Sequence, residues 1–339
     1  MTMTSRELVR RTLEFNRPDR VPRQVWTLPA VWMENDRKDV EAFFSRWSQD
    51  IGGCPVANAP VAALCSGDAY AVGTYRDEWG CEFESISPGR IGEVKAPLLK
   101  DISDLSKVRP PIEALNFNRD AVNDYCKSTD QFVLMGACAR PFERMQFLRG
   151  SQELYMDLAD ESADVLRLRD IVHGFYLDEM EAWAKTDVDG LSFMDDWGSQ
   201  RSLLISPDQW RRLFKPLYAE YVAIARAYGK KIFMHSDGHI QSVYGDLVEI
   251  GIDAVNSQLF CMDIEELGRQ FKGKITFWGE IDRQRVLVTG TRQDARDAVK
   301  RVVDSLYSRD GGVIAQFEMM KLSQGHAVFE AWEELTIAR

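Results

Sequence analysis

His235, Ser236, Asp237, Gly238 and His239 follow directly on Ile232-Phe233-Met234, so an imidazole and a carboxylate stand at the end of an apolar run that reads as a buried strand. Polar groups in such a place are costly unless something there uses them. The arrangement recurs along the chain. Asp195 and Asp196, followed by Trp197-Gly198, close the run Gly190–Asp195; Asn256 and Gln258 belong to Asp253–Gln258; Glu280 and Asp282 end Ile275–Glu280; Gln316 and Glu318 end Gly312–Phe317. Two kinds of chemistry suit these groups. A neutral imidazole with one or two carboxylates can hold a divalent ion such as Zn2+ with a position left open for substrate. The same groups, without metal, can manage a proton at a carbon centre. His235 is the candidate metal ligand or proton donor, with Asp237 beside it and Asp195 as the group that orients substrate or imidazole. Asp196, Trp197, Asn256, Gln258 and Gln316 are candidate substrate contacts, and Glu280 and Glu318 candidate co-ligands. His239, His173 and His326 are read as structural. A serine nucleophile is excluded, since Ser236 lies in no Gly-x-Ser-x-Gly elbow.

Side chains from so many runs converge only if the runs are parallel strands. From about residue 131 onward, strand-like segments alternate with helical ones: Gln131–Ala137, then the four runs above together with Lys231–His235. Ser206-Pro207 opens a helix with an N-cap and a proline in its first turn, Pro216 predicts a kink or break within it, and Gly229 supplies its stop. Two further strands are expected upstream, around Arg23–Trp26 and Pro55–Ala59. Eight strands with right-handed helical crossovers predict a (β/α)8 barrel over 1–339, with its site at the carboxyl ends of the strands. Residues of about 60–110 read as an irregular insertion near the mouth, with Arg76–Ser85 as a strand or hairpin outside the barrel. No GxGxxG follows any strand, which disfavours a doubly wound dinucleotide fold.

The chain has 339 residues and a net charge of −11, which opposes a nucleic-acid partner. No run approaches the length of a membrane span, and the N-terminal segment lacks an apolar signal stretch, so a cytoplasmic location is expected. The six cysteines form no CxxC and read as reduced thiols. Arg140, Arg144 and Arg149 read as a solvated helix face in preference to an anion site.

Five segments in order, Pro18-Asp-Arg-Val-Pro22, Asp77-Glu-Trp-Gly80, Asp195-Asp-Trp-Gly-Ser-Gln200, His235-Ser-Asp-Gly238 and Phe277-Trp-Gly-Glu-Ile-Asp282, resemble the uroporphyrinogen decarboxylase superfamily, which includes corrinoid-linked methyltransferases. The resemblance implies a (β/α)8 barrel with the site at its mouth, often as a homodimer. Two departures argue against a tetrapyrrole substrate. The segment Arg23-Gln-Val-Trp-Thr-Leu-Pro29 lacks the second arginine that grips propionates, and Phe317-Glu-Met-Met320 stands where a Gly-His-Gly is usual. Zinc methyltransferases of the superfamily carry His-x-Cys on the strand equivalent to Lys231–His235. Here His235 matches the histidine, Asp237 replaces the cysteine, and Gln316 or Glu318 lies near a second cysteine position. The resemblance thus implies a metal centre drawn from His235, Asp237, Glu280 and Glu318, harder than a thiolate site and suited to an oxygen-bearing substrate. No Asp-x-His-x-x-Gly cobalamin segment is present, so a corrinoid would arrive on a separate protein. The expected activity is methyl transfer from a small O- or N-methyl compound. A metal-free decarboxylase and a non-catalytic corrinoid- or tetrapyrrole-binding barrel are the alternatives.

Overall fold

Short β-branched and aromatic runs form eight parallel strands: β1 (Arg23–Trp26), β2 (Ile51–Gly53), β3 (Phe132–Leu134), β4 (Gly190–Met194), β5 (Lys231–Ser236), β6 (Ala254–Ser257), β7 (Thr276–Trp278) and β8 (Val313–Glu318). They are seen in a computed structural model that describes residues 3–55 and 59–337. The strands pair in the order β1-β8-β7-β6-β5-β4-β3-β2. Each crossover carries one or more helices, giving the (β/α)8 barrel expected. The second strand is Ile51–Gly53 and not a run around Pro55–Ala59; Pro55 follows it, and 56–58 lie outside the described residues.

β1 and β2, at the two ends of this order, are joined through Asp50. Its backbone N–H donates to the Arg23 carbonyl at 2.9 Å, and its carboxylate accepts from the Arg23 N–H at 2.7 Å. The same carboxylate takes two bonds of 2.7 Å from the Arg20 guanidinium and one of 2.6 Å from Ser5. Fully buried Asp50 is therefore satisfied on every side, and the sheet is nearly closed.

Inside the barrel, Ile51, Phe132, Leu134, Phe233, Ala254, Trp278 and Ile314 pack with Val9 and Leu13 of the first helix, Ser5–Leu13. That helix lies across the end where the strands begin, since Arg6 N–H donates to Asp130 and the Thr12 carbonyl accepts from Gly312. The opposite end is left open for a site. A larger apolar layer separates the strands from the surrounding helices.

Between β2 and β3 the chain builds a three-stranded antiparallel sheet, Gly73–Arg76, Glu82–Ser85 and Glu93–Ala96. Its first two strands form a hairpin over 73–85, in which Arg76–Ser85, expected as a strand or hairpin, supplies the turn Asp77-Glu-Trp-Gly80 and the second strand. The Asp77 carboxylate accepts from the Trp79 and Cys81 N–H groups at 3.0 and 2.8 Å, an Asx-type turn. The helix opened by Ser206-Pro207 breaks at Phe214, and Pro216 falls in the first turn of its continuation, Lys215–Ala227, where a missing N–H does no harm. No described helix is long and apolar enough to cross a membrane.

Candidate active site

β5 delivers His235 to the barrel mouth, where the residue is 7 % exposed. Its Nδ1 lies 2.6 Å from Asn256 Oδ1, and the Asn256 amide donates to the Trp278 carbonyl and, at 2.6 Å, to Gln316 Oε1. With the amide group so committed, the oxygen faces the ring, and Nδ1 carries the proton. Nε2 is then turned towards Asp237 Oδ1 at 3.4 Å and Asp196 Oδ1 at 3.5 Å. A bare nitrogen lone pair between two carboxylates is repulsive, so Nε2 needs a proton or a cation. Burial pushes the His235 pKa down, but the Asp237 and Asp196 carboxylates outweigh it and hold it above the ordinary value.

Asp196, His235 and Asp237 bring one ligand atom each within 4.8 Å of one another, the spacing of a metal-binding group. Asp237 Oδ1 is buried without a hydrogen-bond partner, an orphaned acceptor of the kind a cation satisfies. One imidazole nitrogen and two carboxylate oxygens suit Zn2+ or a harder divalent ion. Glu280 and Glu318, expected as co-ligands, are turned to another task. Arg283 pairs with Glu318 at 2.9 Å, lies 3.5 Å from Glu280 and binds the second oxygen of Asp237. Asp196, expected only as a substrate contact, is instead the third member of this group. Burial raises the Glu280 carboxyl to about 8, so it holds its proton at neutral pH.

The loops carrying Asp196 and Asp237 are locked together through their glycines. Gly198 N–H donates to the Asp237 carbonyl at 3.0 Å, and His239 N–H to the Ser199 carbonyl at 2.8 Å. A Cβ on Gly238, at φ +77°, would fall on the Gly198 backbone. Asp-Trp-Gly and Asp-Gly thus occur as motifs because two backbones meet there.

Other expected residues fall elsewhere. Asp195 is fully buried, and only its backbone touches His235, donating N–H to the His235 carbonyl at 3.0 Å. Its carboxylate accepts from the Tyr218 hydroxyl at 2.6 Å and from Glu143 N–H at 2.8 Å. It therefore anchors the first turn of helix Pro141–Arg149 and orients neither substrate nor imidazole. Trp197 is also fully buried, stacked on Phe142 at 3.8 Å with its N–H on Tyr218, and is core in place of a substrate contact. Gln258 accepts from Gly238 N–H at 3.2 Å and lines a smaller cavity of about 270 Å³ with Glu280, Asp282 and Arg283. Gln316 Nε2 is buried without a partner.

A cavity of about 1050 Å³ opens above His235. Trp26, edge-on to the His235 ring at 5.3 Å, forms its floor with Trp278, and the insertion contributes Tyr75, Trp79 and Phe83. Arg140 and Arg144 line it too, which corrects their reading as a solvated face: their helix starts at the end of a barrel strand, so its first turn points into the mouth. Arg144 pairs with Asp77 and Glu78 of the insertion. Arg149 instead ties Asp157 to the Leu99 and Lys100 carbonyls. Residues missed from sequence are Arg283, three positions past Glu280 in the loop after β7, and Glu179, which sits inside a long helix.

Residues 74–318 match the model of the Uroporphyrinogen decarboxylase (URO-D) family. The chain belongs to the uroporphyrinogen decarboxylase family. No curated protein matches its sequence. Among solved structures, this family member is similar to a methyltransferase from Methanosarcina mazei, with a TM-score of 0.69, 14% identity, and 98% of this chain and 99% of that one covered. It also matches the xylanase TsXylA from Thermoanaerobacterium saccharolyticum at a TM-score of 0.42 and 12% identity, covering 89% of this chain and 86% of that one. The first likeness is one of fold, a uroporphyrinogen decarboxylase-type barrel along nearly the whole chain.

Proposed function

We propose that this barrel is a methyltransferase that takes a methyl group from a small O- or N-methyl compound and passes it to a corrinoid carried by a separate protein. One observation carries the reading: His235, whose Nε2 faces two carboxylates, one with an unpartnered oxygen, also lines a cavity walled largely by aromatic and apolar groups. The full-length likeness to the Methanosarcina mazei methyltransferase supports it. His235, Asp196 and Asp237 would hold a divalent ion, Zn2+ first among candidates; when bound, it would polarise the oxygen or nitrogen that the methyl leaves.

The chain's own residues supply the rest. Asn256 fixes the His235 tautomer, and Arg283 restrains Asp237. The aromatic walls exclude water. In the transfer the C–O or C–N electron pair stays on the heteroatom, while cobalt(I) supplies both electrons of the new cobalt–carbon bond. The heteroatom takes up a proton from solvent as the product leaves the chamber.

The test is to incubate the protein with cob(I)alamin and a panel of methyl ethers and methylamines, following methylcobalamin by absorbance. Methylation that falls about a hundredfold in His235→Ala is expected. A second reading, a metal-free carboxy-lyase, is favoured by the raised pKa of His235, which as an imidazolium could protonate a carbanion. Release of CO2 from carboxylated donors, with no methylation from any donor, would contradict methyl transfer in its favour.

A further inference from the structure

Arg140 and Glu179 line the same cavity as His235 but take no part in the centre described above. Arg140 precedes helix Pro141–Arg149, whose first turn Asp195 anchors, so its backbone is fixed. Its guanidinium has one hydrogen-bond partner among the described residues, Glu143 Oε2 at the long distance of 3.5 Å, and the side chain keeps 30 % exposure. Most of its five donors are therefore open to the cavity. Arg144 next to it is committed, paired with Asp77 and Glu78 and lying over the Trp79 and Phe147 rings. Glu179, on helix Ala163–Ala184, is 7 % exposed and forms no hydrogen bond or ion pair among the described residues. An open guanidinium and an unpartnered buried carboxyl, in one aromatic chamber, are an anion-recognition set and not a structural one.

We propose that Arg140 and Glu179 form a subsite for the carboxylate of an organic acid with an apolar, ring-sized body. Arg140 supplies charged donors, and Glu179, in its acid form, adds an O–H. Trp79, Phe83, Phe147, Phe175 and Trp183 of the same cavity offer faces for the body. This names the substrate class of the methyl-transfer reading and rests on it only in taking this cavity as the substrate chamber.

The electrostatics agree. Burial raises the Glu179 carboxyl to about 7; Glu78 of the insertion adds to the rise, and Arg144 and Arg140 oppose it. Tyr176 of its own helix, Tyr221 from helix Lys215–Ala227 and Cys138 after β3 also face it. An incoming carboxylate adds negative charge and favours the acid form of Glu179. Binding therefore takes up a proton and tightens as pH falls from 8 to 6, where an organic acid is still ionised.

The experiment is calorimetric binding of 3-methoxybenzoate, 3-methoxybenzamide and 3-methoxybenzylamine to the full chain at pH 6 and pH 8. Wild type, Arg140→Met and Glu179→Gln are compared. The benzoate is expected to bind at least about tenfold more tightly than the amide or the amine. Arg140→Met removes that preference, and Glu179→Gln flattens the pH dependence while keeping it. Titrations of wild type in two buffers of different ionisation enthalpy read the proton uptake directly, so the result stands even if a variant fails to fold. Equal or tighter binding of the amide or amine, no binding of the benzoate, no proton uptake, or a preference that survives Arg140→Met would overturn the subsite. None of these readouts involves methyl transfer. Charge-selective binding without methylation would contradict the proposed function and leave the subsite standing.

Discussion

The centre of the site is a nitrogen that needs a positive charge. His235 Nδ1 is committed to Asn256, and Nε2 looks at Asp196 and Asp237. Asn256→Ala removes the group that sets the tautomer, and activity at saturating metal is expected to fall about 10–100-fold while thermal melting still shows a folded barrel. Glu179 gives a prediction of the opposite kind. Its folded pKa of about 7 lies above the ordinary glutamate value, so between about pH 4.5 and 7 the folded state binds the extra proton and stability falls as pH rises. Glu179→Gln escapes this penalty. The variant should unfold in urea with about 2–4 kcal/mol more stability than wild type at pH 8 and about the same stability at pH 5. His235, Asp237, Asp196 and Asn256 were legible because strand ends announce themselves as apolar runs closed by polar residues. Arg283, Arg140 and Glu179 were not, because a charged residue in a loop or helix looks alike whether it faces water or a cavity. Asp195 and Trp197 share a motif with Asp196 but point the other way, since neighbouring residues leaving a strand alternate in direction.

Loops and seams place these groups. Gly238→Ala puts a methyl on the Gly198 backbone at a left-handed φ, which must push apart the two loops that carry Asp196 and Asp237. A loss of about 3 kcal/mol in stability is expected, with metal affinity lost by more than the stability change alone explains. Titration of the variant with Zn2+ beside its urea melt checks both. Asp50 closes the barrel between β1 and β2, and Asp50→Ala leaves the Arg23 N–H and Arg20 without their acceptor. Arg20 is partly exposed, so about 2–3 kcal/mol of destabilisation is expected by urea unfolding. Strand positions were readable as apolar runs except for β2, Ile51-Gly-Gly53, whose single large apolar side chain makes no run to read. What closes the seam was not readable at all, because Asp50 meets Arg20 and Ser5 only in the closed barrel.

At the scale of the whole molecule, the barrel directs strand ends from β4 to β8 to one mouth, the first helix plugs the other end, and the insertion walls the chamber with Trp79 and Phe83. That architecture was the most legible part of the sequence, since eight alternating units admit few topologies. The chemistry was legible only as far as a histidine among carboxylates, which serves a metal or a proton equally well. Metal content therefore decides between them. The measurement is zinc bound per chain after offering Zn2+ to untagged protein and dialysing the excess, for wild type, His235→Ala and Asp196→Asn. About one ion per wild-type chain, lost in both variants, is predicted. A wild-type protein that retains no zinc, or variants that retain it fully, would contradict the metal centre and with it the proposed route of methyl transfer.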